Sequence, residues 1–228
     1  MSHVRVHKSV LAAAEKRTLI YIAERLPRAV NSDHLSAIGL AAMLGAGFSF
    51  AAFRVSPAWA ALGVVAFFVA NWFGDSLDGT VARVRQQQRP RYGFYVDHVI
   101  DLAGSTFLLS GLACSGLMSP LIAASLVCAY LLVSAETYLA THASGVFRMS
   151  FMGFGPTELR ILIAIGAIKA AITPFVDVPA LGVMRLFDIG GVVGAAGLIV
   201  ACVVAAVRNT RALYLAEPLP AGAGTRAA

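Results

Sequence analysis

Four aspartates lie within 27 residues of an otherwise apolar chain. They form two pairs: Asp75 and Asp78 are three residues apart, and Asp97 and Asp101 are four apart. On a helix each pair shares a face, because residues at these spacings are neighbours on the helix surface. The connection between the pairs is short and basic, so we predict two antiparallel neighbouring helices whose carboxylates converge.

Carboxylates that converge in a low dielectric need neutralisation, either by protonation or by bound cations. Their oxygens are hard ligands that suit Mg²⁺ or Mn²⁺. Two such ions about 4 Å apart are a usual arrangement for displacement at phosphorus. Pairing with arginines of the connection is the alternative. It suits Asp97 and Asp101 poorly, since both lead directly into an apolar run.

Two glycines and an arginine flank the aspartates at regular spacings. Gly79 directly follows Asp78 and leaves bare backbone that a ligand can approach closely. Gly93 precedes Asp97 by one helical turn. Arg83 follows Gly79 by four residues, which places it to reach a phosphate or a base.

The composition predicts the elements that hold these residues. Apolar residues make up 58% of the chain and charged residues 13%, and the mean hydropathy is +0.76, as in an integral membrane protein. Six stretches approach the roughly 20 apolar residues that a membrane-crossing helix needs. They are residues 35–53, 58–77, 97–117, 119–141, 158–176 and 187–207. We predict an all-α fold, a six-transmembrane-helix bundle with an N-terminal interfacial amphipathic helix.

The predicted chain has three regions. Residues 1–30 are basic throughout, with apolar residues able to line one face, and are expected to form a juxtamembrane amphipathic helix. A poorly ordered basic arm is the alternative. Residues 31–212 form the membrane domain. Residues 213–228 end in a Pro/Gly/Ala-rich segment and are expected to be a disordered tail.

The basic residues predict the orientation. Of the 18 Lys and Arg residues, only Arg54 and Arg185 fall on one side of the predicted spans, and Lys169 falls within span five. By the positive-inside rule, both termini and the aspartates face the cytosol. We attribute the net charge of +6 to this topology and expect no nucleic-acid partner. The arginines interpreted as topology and lipid-surface charges are Arg85, Arg89 and Arg91.

The aspartate stretch resembles the signature of the CDP-alcohol phosphotransferases. That signature is D-x-x-D-G-x-x-A-R, then eight or nine residues, then G-x-x-x-D-x-x-x-D. Here the first half runs from Asp75 to Arg83 and the second, nine residues later, from Gly93 to Asp101, and all eight defining positions match. The layout is also similar, with a surface helix before six spans and the motif joining spans two and three.

The resemblance implies a membrane enzyme of phospholipid biosynthesis that uses two Mg²⁺ or Mn²⁺ ions. The implied metal ligands are Asp75, Asp78 and Asp97, with Asp101 close to the second ion. Asp101 is also the implied general base. The implied contacts with the cytidine diphosphate part of the donor come from the motif residues Gly79, Ala82, Arg83 and Gly93.

A short polar segment also opens the first span in this family, often as T-P-N-x-L-T. This chain reads Asn31-Ser-Asp-His-Leu-Ser36, so Ser32 replaces the proline and Asp33 the asparagine. Asp33 and Ser36 are therefore candidate nucleotide contacts. A helix N-cap for span one is an equally weighted alternative.

In the implied reaction, Asp101 takes the proton of an acceptor hydroxyl, whose oxygen attacks the phosphorus that bears the alcohol and displaces CMP. The donor is CDP-diacylglycerol with a small polar acceptor, or a CDP-aminoalcohol with diacylglycerol as acceptor; the motif does not separate these. Family members are commonly homodimers, so a homodimer is expected. A divalent-cation transporter with a carboxylate-lined path is the alternative from another class, but it leaves the motif glycines and Arg83 unexplained.

A second polar region could bind the other substrate. It is somewhat similar to the S-G-x-x-R … T-E pattern of choline and ethanolamine phosphotransferases, with Thr157 preceding a glutamate. Capping of span five, with Pro156 in its first turn, is the alternative for two of the candidates, Glu158 and Arg160. The candidates are Glu136, Arg148, Glu158 and Arg160.

Overall fold

The computed structural model describes residues 12–144, 156–179 and 181–217. Within these residues the chain forms seven α-helices, a 3₁₀ turn and one two-stranded antiparallel sheet. The helices are α1 (Ala12–Arg25), α2 (Ser32–Ala51), α3 (Pro57–Val84), α4 (Pro90–Ser115), α5 (Pro120–Ser144), α6 (Pro156–Ile172) and α7 (Leu186–Ala216). The strands are β1 (Phe175–Val178) and β2 (Gly182–Arg185), and the 3₁₀ turn spans Ala52–Arg54.

Local signals explain most helix boundaries. Helices α3 to α6 each begin at a proline, whose missing N–H would have no intrahelical partner at that position. Helix α2 begins after Asn31, whose side chain accepts from the His34 N–H at 2.8 Å in a reciprocal capping box. Helix α4 ends at Ser115 and is capped by Gly116, whose φ of 81° favours glycine.

Five helices of the described chain are long and apolar enough to cross a membrane: α2 with its 3₁₀ extension, α3, α4, α5 and α7. Helix α6 occupies the predicted fifth span but has 17 residues, and residues 145–155 before it lie outside the described part. The chain is thus a multi-pass helical membrane protein. The count of six spans stays a prediction.

The structure corrects two boundaries. Span five was predicted to reach residue 176, but α6 ends at Ile172 and a hairpin follows, with Phe175 opposite Arg185. The fold is therefore helical with a small β-hairpin rather than purely α. Helix α7 continues to Ala216, so residues 213–216 of the predicted tail are helical. Residues 218–228 lie outside the described part of the chain.

Glycines let α2 approach both of the helices that carry the aspartates. A Cβ on Gly74 of α3 would lie 2.6 Å from the backbone N of Gly39 in α2. A Cβ on Gly111 of α4 would lie 2.0 Å from the carbonyl O of Gly47, also in α2. Small residues permit such close backbone packing between helices in membranes. Helix α2 is thus the common support of α3 and α4.

Helix α1 packs against the end of the bundle where α2 begins and α3 ends. Leu19 and Ala23 of α1 are buried against Leu35, Leu77 and Val81. The opposite end has its own apolar cluster, built around phenylalanines of α2, α3 and α7. A helix therefore exists within the predicted 1–30 segment, while its position at the membrane surface stays a prediction and residues 1–11 lie outside the described part.

Candidate active site

Three of the four motif aspartates converge between α3 and α4. Asp75, Asp97 and Asp101 each offer a carboxylate oxygen, and these three atoms all lie within 4.8 Å of one another. Asp97 and Asp101 are one helical turn apart on α4, and Asp75 faces them from α3. All three residues are half-buried. The convergence predicted from the spacing is confirmed for these three carboxylates.

The three carboxylates fit a divalent cation. Mg²⁺ binds oxygens at about 2.0–2.1 Å in an octahedron, so its ligand oxygens lie about 3–4 Å from one another. Three oxygens within 4.8 Å need only small side-chain adjustments to reach that geometry. An all-carboxylate set is also the donor chemistry that suits Mg²⁺ or Mn²⁺.

The fourth aspartate makes different contacts. The carboxylate of Asp78 accepts a hydrogen bond from Ser36 Oγ at 2.6 Å and another from the Gly79 N–H. Ser32 Oγ donates to the carbonyl O of Asp78 at 2.9 Å. The first turns of α2 therefore hold Asp78 in place. Its assignment as a metal ligand stays a prediction.

Helix α6 contributes a cation to the aspartate cluster. Arg160 Nη2 donates to Asp75 Oδ2 at 2.5 Å, and the two side chains are only 16% and 26% exposed. Arg160 was a candidate for the second-substrate pocket, and the structure places it directly beside a predicted metal ligand.

The motif residues beyond the aspartates lie at the end of α3 and the start of α4. Arg83 is exposed, and its Nη2 donates to Thr80 Oγ1 at 3.0 Å. A Cβ on Gly79 would lie 3.3 Å from Arg83 Nη1, the far end of a flexible side chain. Around Gly93, no described atom lies within 4 Å of the position that a Cβ would take. The backbone at Gly93 is therefore open to a ligand, whereas Arg83 lies over Gly79.

A comparison with protein families decides the relationship. The family described as CDP-alcohol phosphatidyltransferase matches residues 33–207 of the chain, which include the whole site. The chain belongs to the CDP-alcohol phosphatidyltransferase family. A comparison with curated protein sequences found no significant match.

Membership makes the chain an enzyme that transfers substituted phosphate groups. CDP-alcohol phosphatidyltransferases are generally dependent on divalent metals, and the cluster of Asp75, Asp97 and Asp101 provides the ligands such an ion needs. Helix α1 lies outside the matched residues, so its contacts with the site come from the structure alone.

The segment that opens α2 makes three kinds of contact beside the site of this phosphatidyltransferase. Asn31 caps α2, as one of the two alternatives predicted. Asp33 pairs with Arg89 at 2.6 Å, and Ser36 binds Asp78. The contacts seen for Asp33 and Ser36 are therefore within the protein, and their contact with a nucleotide stays a prediction.

Arg85, in the connection between α3 and α4, has a structural role that the sequence did not indicate. Arg85 donates to the carbonyl oxygens of Val30, Leu26 and Pro27 at 2.6, 2.9 and 3.1 Å. It thereby joins this connection to the segment between α1 and α2. No local signal marks such a contact, because its partners are backbone atoms more than 50 residues away.

The other candidates for the second-substrate pocket lie at separate places in the structure. Glu136 Oε1 of α5 accepts from Asn209 Nδ2 of α7 at 2.7 Å, and Glu158 lies in the first turn of α6. Arg148 lies outside the described residues. Arg160 contacts the aspartate cluster through Asp75.

A polar bridge near the cluster was not predicted. Glu15 Oε1 of α1 accepts from Trp72 Nε1 at 2.7 Å and from Thr157 Oγ1 at 3.0 Å. One carboxylate oxygen thus joins α1, α3 and α6. Trp72 precedes Asp75 by three residues, and Thr157 precedes Arg160 by three, so the bridge lies one turn from each partner of the Asp75–Arg160 contact.

Proposed function

We propose that the protein is a metal-dependent CDP-alcohol phosphotransferase of phospholipid biosynthesis. It transfers a substituted phosphate group from a CDP-linked donor to an acceptor hydroxyl and releases CMP. The observation that carries the proposal is the convergence of Asp75, Asp97 and Asp101 within 4.8 Å, in a chain of this family.

The four motif aspartates would hold two Mg²⁺ or Mn²⁺ ions. Asp75, Asp97 and Asp101 fit one ion by their spacing, and Asp78 lies one turn along α3 from Asp75. Bound ions would neutralise the diphosphate and stabilise the charge that develops on the leaving CMP. Ser36 and the Gly79 N–H support this role by fixing the Asp78 carboxylate.

Asp101 is the proposed general base. It lies one turn deeper along α4 than Asp97, towards the apolar part of the helix. Its carboxylate takes the proton of the acceptor hydroxyl, the new oxygen–phosphorus bond forms, and the phosphorus–oxygen bond to CMP breaks. General bases of this kind typically contribute a factor of about 10²–10⁴ in rate.

The donor would lie against the end of α3 and the start of α4. Gly79, Ala82 and Gly93 would contact the donor there, together with Arg83, which is an exposed residue. Asp33 and Ser36 border this region from α2. An arginine fork suits a phosphate oxygen or the edge of a base.

The site would face the cytosol, where a lipid and a water-soluble substrate can both reach it. The basic termini and the basic α3–α4 connection support this orientation. The two open choices for the donor are CDP-diacylglycerol, with a small polar acceptor, and a CDP-aminoalcohol, with diacylglycerol as acceptor. A homodimer is proposed from the resemblance alone.

The test is CMP release by the purified protein in detergent with Mn²⁺. Both donor types are crossed with inositol phosphate, glycerol phosphate, serine, choline and diacylglycerol. We expect CMP from one donor class with one acceptor, and a loss of about 10²-fold or more in the Asp101→Asn variant. No CMP from any pair, together with Mn²⁺ uptake into vesicles that contain the protein, would instead support the transporter. Near-normal turnover of Asp101→Asn would reject the assignment of the base.

A further inference from the structure

The contact between Arg160 and Asp75 joins helices that are far apart in sequence. The Nη2–Oδ2 distance is 2.5 Å, and both side chains are mostly buried. The guanidinium therefore lies at a carboxylate that also belongs to the three-aspartate cluster. By comparison, the contact of Arg89 with Asp33 is exposed, at 55% and 43%, and lies outside that cluster.

A guanidinium in this position has two effects on a divalent ion. It repels the ion electrostatically, because two positive charges then share one partly buried site. It also engages Asp75 Oδ2, one of the two oxygens through which Asp75 can bind metal. The ion and Arg160 therefore draw on the same carboxylate.

The surrounding contacts hold the pair in register. Glu15 Oε1 accepts from Trp72 on α3 and from Thr157 on α6. These donors lie one turn before Asp75 and one turn before Arg160. The two helices are thus tied together beside the contact, so the meeting of Arg160 with Asp75 does not depend on a single flexible side chain.

We propose that Arg160 is a built-in counter-ion of the aspartate cluster that competes with the divalent cation for Asp75 and so sets the affinity for that cation. Without an ion, its charge offsets the repulsion among the three carboxylates. With an ion, Asp75 exchanges the guanidinium for the metal. Arg160 is a positioning residue in this proposal, which rests on the proposed metal site.

The test measures Mn²⁺ binding to the purified full-length protein by titration with electron paramagnetic resonance, with no substrate present. We expect Arg160→Gln, which removes the charge, to bind Mn²⁺ about tenfold more tightly or better than the unchanged protein. Arg160→Lys keeps the charge, and its affinity should stay within about threefold. Arg89→Gln is the matched control, since it removes an arginine from an aspartate outside the cluster, and its affinity should stay within about twofold.

Thermal unfolding gives a second readout. Without Mn²⁺, Arg160→Gln should unfold at a lower temperature than the unchanged protein, and saturating Mn²⁺ should raise its unfolding temperature by more. If the glutamine variant cannot be purified, Arg160→Met serves in its place, since it removes the charge and keeps an unbranched side chain.

The outcomes separate this inference from the proposed function. An affinity that is unchanged or weaker in the folded neutral variant overturns the counter-ion role. If the unchanged protein binds no Mn²⁺, or if Asp97→Asn binds it equally well, the metal site itself is rejected and the counter-ion role with it.

Discussion

The close approach of α2 and α3 should control the position of Asp75, and Gly74→Ala tests this directly. A methyl group at Gly74 would lie 2.6 Å from both Gly39 N and Leu35 O, which are backbone atoms, whereas ordinary contacts of this type begin at 3.4 Å. The shortfall is about 0.8 Å, and α3 must move away from α2 by a similar amount because neither backbone atom can rotate aside.

Gly74 directly precedes Asp75, so a displacement of α3 at Gly74 also moves Asp75. A shift of about 1 Å in a catalytic group can cost about 10²-fold in rate, so we expect turnover to fall about 10–100-fold. Overpacking of this kind costs about 1–3 kcal/mol of stability, which is partly offset by the better helix propensity of alanine, by up to about 1 kcal/mol. Initial rates of CMP release and thermal unfolding, measured on the same preparation, give the two quantities.

A matched glycine on another helix provides the control. Around Gly190 of α7, no described atom lies within 4 Å of the position that a Cβ would take. Gly190→Ala should therefore keep turnover within about twofold and lose no stability. If Gly74→Ala retains normal turnover and normal Mn²⁺ affinity, the packing of α2 on α3 does not position Asp75 and the reasoning is refuted.

Three further substitutions test single contacts. Ser36→Ala removes one donor to Asp78 and should lower turnover about tenfold, equivalent to about 1.4 kcal/mol of barrier. Ser110→Ala removes an exposed hydroxyl that donates to the Thr106 carbonyl of its own helix, and it should leave turnover unchanged. Equal rates in both would count against the role of Asp78. Glu15→Ala removes the oxygen that joins α1 to α3 and α6. It should reduce turnover with little change in the KM for the donor, because its two partners, Trp72 and Thr157, are not predicted nucleotide contacts. A rise in KM alone would contradict this. Arg85→Gln leaves backbone carbonyls without their donor and should destabilise the protein by about 2 kcal/mol. This corresponds to a fall of roughly 4–8 °C in unfolding temperature. An unchanged melting curve would show that the contact is dispensable.

The sequence could predict those features of the site that follow from the helical repeat. Spacings of three and four residues place Asp97 and Asp101 on one face, and a short connection requires α3 and α4 to be neighbours. These two facts predict that carboxylates of α3 approach those of α4, and the structure shows this approach for Asp75. The starts of two helices could also be predicted locally, because Asn31 caps the first turn of α2 and Pro156 is the first residue of α6.

The contacts between distant helices could not be predicted in this way. Arg160 meets Asp75 across 85 residues of sequence, and Glu15 meets Thr157 across 142. The hydrophobic pattern of one helix does not indicate which other helix it packs against, because the predicted spans are similarly apolar. The register between helices depends on close approaches such as that of Gly39 to Gly74, which only the three-dimensional packing shows.

The hairpin between α6 and α7 was missed for a different reason. The first two residues of β1, Phe175 and Val176, are as apolar as the helix before them, so the predicted span five extended to residue 176. The signals that end α6 were nevertheless present, because Pro174 cannot continue a helix ladder. Gly182 adopts a φ of 80° at the start of β2, a conformation that favours glycine.

In the proposed reaction, divalent ions held by the aspartates of α3 and α4 activate the donor diphosphate for cleavage. The most direct measurement is a titration of the purified protein with Mn²⁺, followed by CMP release from the same samples. We predict that the unchanged protein binds two Mn²⁺ ions per chain. Chelation should remove both ion binding and CMP release, and returning Mn²⁺ should restore both. In Asp97→Asn, ion binding and CMP release should be lost together. CMP release that continues at full rate after chelation, or in Asp97→Asn without bound Mn²⁺, would show that the reaction does not need these ions.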